Sequence, residues 1–268
     1  NQLIKSYYPK YKIIHTIVSE CIINKKIYQG LPKNKIAIDN IKISFKLICF
    51  PNSNINNLKN QFKINNLNIL NFFCSSYIKT LDYSKKLNKK KISFLEIGYE
   101  RTNFIFYEKN SLKIFQTIPI GGNHITNDIS KIFKIDIDKA EKIKQSFNET
   151  ETEFSYYNTK MENVTAKDII SQNISIDLLK KVILYRVQEI IDLTFKKLIK
   201  KQSISSLKDS DLFLIGDGSK LLNSNSFYLN DKFDFKSIKF YSENDKLICN
   251  LGLEHYMNIY KEPKINNK

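Results

Sequence analysis

Apolar and polar positions change rhythm several times along the chain. Residues 11–23 are a β-rich run, and Ile41, Ile43, Phe45, Leu47 and Cys49 alternate with Lys42, Ser44 and Lys46, the period of a strand with one buried face. After Pro51, Ile55, Leu58 and Phe62 repeat at helical spacing, and residues 67–73 return as an apolar stretch that predicts a strand, completing a strand–helix–strand crossover unit. Residues 74–83 predict a helix capped by Ser75 or Ser76, and the Lys-rich stretch 85–91 reads as a hinge or lobe boundary. Three strands follow, at 92–97, 104–107 and 112–120, with connections so short that they demand an antiparallel meander. A helix is predicted over 124–133 and a second from near Asp138 through Glu141 and Lys144. Residues 148–168 are polar and predict no long element. Ile176, Leu179, Ile183, Val187, Ile190, Ile191, Thr194, Phe195 and Leu198 mark the longest amphipathic helix, with Asn173 or Ser175 as its cap. Residues 211–215 predict a buried strand, residues 219–223 the opening of a helix, and the end carries a strand near Phe240 and a helix through Gly252, Leu253 and Tyr256.

The length of 268 residues suffices for two lobes, and 42% apolar residues with 18 Phe and 15 Tyr can fill real cores. A net charge of +16 invites a nucleic-acid or anionic-membrane reading. Only two arginines occur, however, Arg101 and Arg186, whereas nucleic-acid surfaces cluster Arg for bidentate contacts. Scattered Lys reads instead as a solvated surface, and no nucleic-acid partner is expected. Cys21, Cys49, Cys74 and Cys249 stand alone in apolar stretches and read as reduced, buried small hydrophobes. His15, His124 and His255 lack ligand spacing, so no protein-held metal cage is expected, and His15 and His255 read as core or boundary histidines. No stretch approaches a membrane span. Sequons at Asn148, Asn163 and Asn173 fit chance in an Asn-rich chain.

Glycine carries the chemical signal. Five of the seven glycines fall in three short sites where a strand meets a turn or helix: Gly98, Gly121 with Gly122, and Gly216 with Gly218. Apolar strands ending in glycine can bring backbone amides against a nucleotide. In the first site, Glu96 would hold a metal-bound water, Gly98 would bring amides to phosphate and Thr102 would add a hydroxyl. Bulk at Tyr99 and a second carboxylate at Glu100 oppose this unless magnesium or Arg101 offsets them, and a plain hairpin turn fits equally well. Gly121 and Gly122 precede a helix with Thr126 and Asp128 in its first turns, which capping also explains. Glu141 and Lys144 share a helix face at i, i+3, suited to ribose hydroxyls and to base or phosphate, or to an ordinary surface pair. Gly216, Asp217 and Gly218 can lie against a purine or form a simple turn. No Ser/His/Asp or Cys/His arrangement supports covalent hydrolysis.

The order of these sites, together with the stretches 140–144 and 251–256, resembles the FtsA family of actin-like bacterial cell-division proteins. The stretch 118–129, Ile-Pro-Ile-Gly-Gly-Asn-His-Ile-Thr-Asn-Asp-Ile, carries the resemblance most specifically, and residues 12–17 resemble the start of the subdomain that FtsA inserts where actin has none. Those two features favour FtsA over MreB, the seventy-kilodalton chaperones and sugar kinases. PilM, an FtsA-like pilus assembly protein, is the alternative.

The resemblance implies an α/β, actin-like (ribonuclease H-like) ATPase fold with a complete second lobe and a partial first lobe. Residues 1–50 would be the inserted subdomain, 51–90 the rest of the first lobe, 91–133 and 206–262 the core of the second lobe, 134–205 its outer subdomain and 263–268 a tail. It implies ATP with magnesium as ligand, with Gly98 and Thr102 near phosphate, Gly121 and Gly122 lining the cleft, Glu141 and Lys144 at ribose and adenine, and Gly216, Asp217 and Gly218 at the base. The implied role is a division scaffold that self-associates into filaments and holds the C-terminal tail of FtsZ on the outer subdomain. The implied place is the cytoplasmic side of the bacterial inner membrane at the septum. The family's first phosphate hairpin would fall before Asn1, and its membrane helix after Lys268, so membrane attachment is expected through a segment outside this chain. The second hairpin departs from the family, carrying Glu96, Tyr99, Glu100, Arg101 and Asn103 where Asp, Gly, Gly, Thr and Asp are preferred. Little or no turnover is therefore expected; an active ATPase or phosphotransferase, with Glu96 as its only candidate carboxylate, is the rival reading.

Overall fold

A computed structural model describes residues 6–28, 32, 36, 40–149, 174–200, 207–225, 233–241 and 245–260. The polar stretch after residue 149 and the sequons at Asn163 and Asn173 lie outside the described residues. The chain divides into two compact units, one of Asn1–Lys90, Tyr107–Lys113 and Asn244–Lys268, the other of Lys91–Phe106 and Ile114–Glu243.

In the first unit, β1 (Tyr11–Ile23) pairs antiparallel with β2 (Lys26–Tyr28) and with β3 (Ile41–Pro51), giving the order β2-β1-β3. Helix α1 (Asn52–Ile64) follows β3 directly, and α2 (Ser75–Leu87) packs on α6 (Asp245–Tyr260). The alternation in β3 does not translate into one buried face: Ile41 and Phe45 are exposed while Ile48 is buried. Two register shifts, between Ile13 and His15 and between Val18 and Glu20, insert one extra residue each into β1, whereas β3 pairs without a gap. The expected strand at 67–73 is absent; the segment has no regular structure, and its Leu67 and Leu70 are exposed. The strand–helix–strand crossover therefore does not form here. Helix α2 begins at Ser75, after Cys74 and without a side-chain cap, so neither serine caps it.

His15 anchors this unit. Its Nε2 accepts the Cys74 amide at 3.0 Å, and its ring lies 4.9 Å from Tyr77 and 5.8 Å from His255, centroid to centroid. Burial, then the neighbouring His255, push the His15 imidazole from 6.5 down to about 4.

The second unit is built on a five-stranded sheet of order β6-β5-β4-β7-β8. β4 (Lys91–Ile97), β5 (Thr102–Glu108) and β6 (Ser111–Ile118) are sequential, and β7 (Asp211–Ile215) and β8 (Ser237–Phe240) add parallel to β4. β4 is buried along both faces, as a central strand flanked by layers must be. Helices α3 (Gly122–Phe133), α4 (Ile137–Glu149) and α5 (Ile176–Lys200) cover the sheet. The predicted apolar stripe of α5 is the buried one, from Leu179 through Leu198, and Ser175 Oγ accepts the Leu178 amide at 3.3 Å as its cap. Phe195 stacks on Phe233 at 4.0 Å and meets Phe104 edge-on at 5.1 Å, locking α5 to the sheet. A 3-10 helix (Asp217–Asn225) stands where residues 219–223 were expected to open a helix.

A histidine whose pKa is lowered on folding contributes stability that is present above 6.5 and is lost as pH falls towards 4. Urea unfolding measured across that window should show a loss on the order of 3 kcal/mol for the parent chain. His15→Gln, which keeps an acceptor for the Cys74 amide, should flatten the slope; an unchanged slope would assign the loss elsewhere.

Candidate functional site

The three glycine sites, far apart in sequence, converge at the C-terminal end of β4. The parallel register pairs Glu96 with Ile215, so β4 and β7 run out together and their following turns leave the sheet side by side. Gly216 has φ +83°, and a Cβ there would stand 2.6 Å from the Ile97 carbonyl oxygen. The left-handed conformation and the close approach both select glycine. A Cβ on Gly218 would meet Ile97 Cγ2 at 2.6 Å. Ser219 closes this turn through its amide and hydroxyl, both donating to Gly216 O, at 2.9 and 2.6 Å. Asp217 is exposed and pairs with Lys220 at 3.0 Å.

On the other side of β4, the start of α3 lies directly on the turn at residues 98–101. A Cβ on Gly121 would be 2.4 Å from Gly98 O and 2.7 Å from both Tyr99 O and Arg101 N. That backbone-to-backbone approach orients the donors of α3 inward. Gly122 N donates to Gly98 O at 2.9 Å, Asn123 N to Tyr99 O at 2.7 Å, His124 N to Gly121 O at 3.0 Å, and Gly121 N to His124 Nδ1 at 3.2 Å. The helix N-terminus is thus satisfied by the chain's own acceptors. Within the turn, Gly98 N donates to Arg101 O at 2.9 Å. The amides of Tyr99, Glu100 and Arg101 have no acceptor among the described residues. Successive unpaired amides at a strand end are what an anionic oxygen requires.

Glu96 is buried at the strand end, and its Oε2 accepts from Asn103 Nδ2 at 2.8 Å, while Asn103 Oδ1 accepts from Thr117 Oγ1 at 2.7 Å. Thr102 is fully buried and donates to Ile120 O at 2.8 Å, which fixes the segment leading into Gly121. The Glu100 carboxylate accepts from Asn123 Nδ2 at 2.8 Å, so it is held back against α3.

Glu141 and Lys144 do share a face of α4, and that face turns towards α3. Lys144 is buried, and its ammonium donates to Gly122 O at 3.1 Å, Thr126 Oγ1 at 2.8 Å and Glu141 Oε2 at 2.7 Å. All three donors are spent inside the unit. Its Nζ also lies 5.9 Å from the centroid of the Tyr99 ring. Thr126 Oγ1 donates to Glu141 Oε2, and Gln145 Nε2 donates to Glu141 Oε1 at 3.0 Å. Burial pushes the Glu141 carboxyl up, but the Lys144 and Thr126 hydrogen bonds, the Lys144 charge and Gln145 outweigh it and hold the group below its ordinary 4.5. About a quarter of the Glu141 side chain remains exposed, so it alone of the pair presents an edge outward.

One further pair ties the helices together. Arg186 on α5 donates from Nε to Asp128 Oδ2 at 2.6 Å and from NH2 to Asp128 Oδ1 at 3.0 Å, a bidentate fork, and from NH1 to Glu189 Oε2 at 2.5 Å. Sequence reasoning did not join Asp128 to Arg186 or make Thr126 a hub. The available signals were the rarity of arginine in this chain and the Gly122 to Thr126 spacing of one helical turn.

Gly121→Ala should cost about 2 kcal/mol or more, because its Cβ meets backbone rather than a movable side chain. Gly252→Ala, whose Cβ would sit 3.7 Å from Phe73 in ordinary contact within α6, should be neutral or stabilise by up to about 1 kcal/mol. Lys144→Met should cost about 3 kcal/mol, and adding Glu141→Leu should recover part of it, since an apolar pair replaces a charge left alone. Because Glu141 titrates below 4.5 when folded, its contribution is present above that pH and lost as pH falls beneath it. Chemical unfolding of the four variants checks each sign.

A profile of the family described as "Cell division protein FtsA" matches residues 94–235. Curated FtsA proteins align over about half of this chain: that of Neisseria meningitidis is 26% identical over 130 residues, covering 48% of this chain and 31% of the relative. That of Buchnera aphidicola is 31% identical over 137 residues, covering 48% and 32%. The chain thus spans about a third of the length of these relatives. Among solved structures, the PilM–PilN type IV pilus biogenesis complex superposes with a TM-score of 0.57 at 12% identity, covering 96% of this chain and 68% of that one. MreB5 of Spiroplasma citri bound to ADP gives 0.54 at 17% identity, covering 76% and 65%. These likenesses show an actin-like fold. The profile match covers more than half of the 268 residues and includes all three glycine sites, so the chain belongs to the FtsA family of cell division proteins.

Proposed function

We propose that this chain is part of an actin-like division scaffold that binds ATP at the C-terminal ends of β4 and β7 and uses it as a structural ligand. The observation that carries the reading is the convergence of five glycines on the end of β4 beside three unpaired turn amides. Ligands of open α/β sheets bind outside the carboxyl ends of the strands, where such donors collect. The amides of residues 99–101 meet the phosphates, with Gly98 opening the turn and Thr102 shaping it from beneath. Gly121 and Gly122 form the floor against that turn, Glu141 offers its exposed edge to the ribose, Lys144 holds Glu141 in place, and Gly216, Asp217 and Gly218 face the base. Magnesium bound with the nucleotide supplies charge neutralisation of the phosphate oxygens, and Glu96 is the carboxylate that would hold it.

The lobe assignments follow the same reading: an inserted subdomain at 1–50, the rest of a first lobe at 51–90, and a second lobe with its outer subdomain at 134–205. That outer subdomain takes the tail of FtsZ, copies associate into filaments, and the scaffold works at the cytoplasmic face of the membrane at the septum. The solved relative bound to ADP supports the nucleotide, and the family match supports the division role.

Calorimetric titration with magnesium ATP tests the site, and Tyr99→Gly with Glu100→Gly sharpens the test by removing the bulk and the carboxylate beside the free amides. The parent should bind weakly and the double variant about tenfold or more tighter. A folded protein that takes no nucleotide in either form would leave a nucleotide-free scaffold. Steady phosphate release abolished by Glu96→Gln would instead favour an active ATPase.

A further inference from the structure

We infer that the first unit carries an anionic-membrane contact of its own, centred on α1 and the segment that follows it. Helix α1 is an anomaly. Of its 13 residues only Ile55 is buried, and five of the 13 are Asn, a poor helix former. A helix of that length is marginal in isolation and normally depends on packing an apolar face. Its apolar stripe is Ile55, Leu58 and Phe62 at i, i+3 and i+7, yet Leu58 and Phe62 are 42% and 44% exposed. Ile64 at the end of the helix and Leu70 beyond it are more than four-fifths exposed, with Leu67 exposed between them.

Other contacts draw the neighbouring segments towards this helix. Asn52 donates from its amide to Lys10 O at 2.9 Å and from Nδ2 to Pro9 O at 2.9 Å. That places the exposed Tyr7, Tyr8 and Tyr11 beside the start of α1. The Lys12 ammonium lies 5.4 Å from the Phe72 ring centroid, which draws the end of the segment to the same strand.

Charge identifies the occupant. No Asp or Glu occurs in residues 1–19 or 40–81, while Lys10, Lys12, Lys59 and Lys63 are exposed there. Lys59 and Lys63 stand one helical turn apart along the flank of the apolar stripe. Lysines bordering exposed Phe, Leu, Ile and Tyr, with no carboxylate among them, match an interface that is apolar beneath and anionic above. Each lysine near an anionic leaflet favours binding about fivefold. No helix among the described residues is long and apolar enough to cross a membrane, so this contact is one of lying on the surface. The inference goes beyond the function proposed above, because it names a membrane contact in the first unit, and it does not depend on nucleotide binding.

The test is flotation of the 268-residue chain with vesicles of phosphatidylcholine alone and of phosphatidylcholine with phosphatidylglycerol. Binding to the anionic vesicles and little to the neutral ones is expected. Lys59→Gln with Lys63→Gln should weaken it by about tenfold or more, and Leu67→Ser with Leu70→Ser should weaken it comparably. Those four positions are exposed, so thermal unfolding without vesicles should be unchanged and shows that the variants fold. Three results would overturn the inference: no flotation with either vesicle, flotation lost in salt yet indifferent to the Leu67 and Leu70 changes, or a dimer in light scattering that the same variants dissociate.

Discussion

The second unit depends on one close approach, that of Gly121 to the turn at residues 98–101. With no side chain between them, two stretches of backbone come within hydrogen-bonding distance, and Gly98 O and Tyr99 O become the acceptors for the first amides of α3. This fixes both the position and the rotation of that helix. One turn on, Thr126 faces α4 and meets Glu141 and Lys144. Asp128 faces α5 and takes the Arg186 fork. Three helices are thus set by a contact that any β-carbon at residue 121 would prevent.

The same contact decides where donors remain. Buried amides must be paired, and the four orphan donors of a helix start are a standing cost unless something accepts from them. Here the turn's carbonyls accept, so α3 has none left to offer, and the unpaired amides belong to the turn. The glycines act less by exposing amides of their own than by letting one segment lie so close to another that the carbonyls are consumed and the neighbouring amides are left over.

The sequence was most legible where a local rule sufficed. β4, β7 and the stripe of α5 follow from runs and periods that no distant contact could mimic, and the glycine sites stand out because glycine is otherwise rare. It was least legible where partners are remote. Lys144 reads as a surface lysine beside Glu141, and nothing within α4 reveals that Gly122 O and Thr126, 22 and 18 residues away, would draw it inward. Arg186 and Asp128 are separated by 58 residues. In β3 the alternation is real, yet it does not sort into a buried and an exposed face, since Ile41 and Phe45 are exposed and Ile48 is buried. The apolar run at 67–73 has strand composition, yet it pairs with no described strand and ends with side chains in solvent.

Net charge conceals a comparable distinction. A total of +16 over 268 residues with 27 carboxylates looks like mixed, solvated surface. The carboxylates are unevenly spread: before Glu96 only Glu20, Asp39 and Asp82 occur. In the second unit some cations face acidic partners, as in the Lys144–Glu141 and Arg186–Asp128 pairs, and those charges are spent locally. Around α1 no such partner is encoded, and the potentials of its lysines add instead of cancelling within a Debye length of about 8–10 Å. An exposed apolar stripe in such a field is attracted to any surface that is anionic and greasy at once, and repelled by the cationic surface of another copy unless contacts outweigh that charge. The asymmetry that makes self-docking unfavourable at this patch is the one that makes a lipid surface its fitting counterpart.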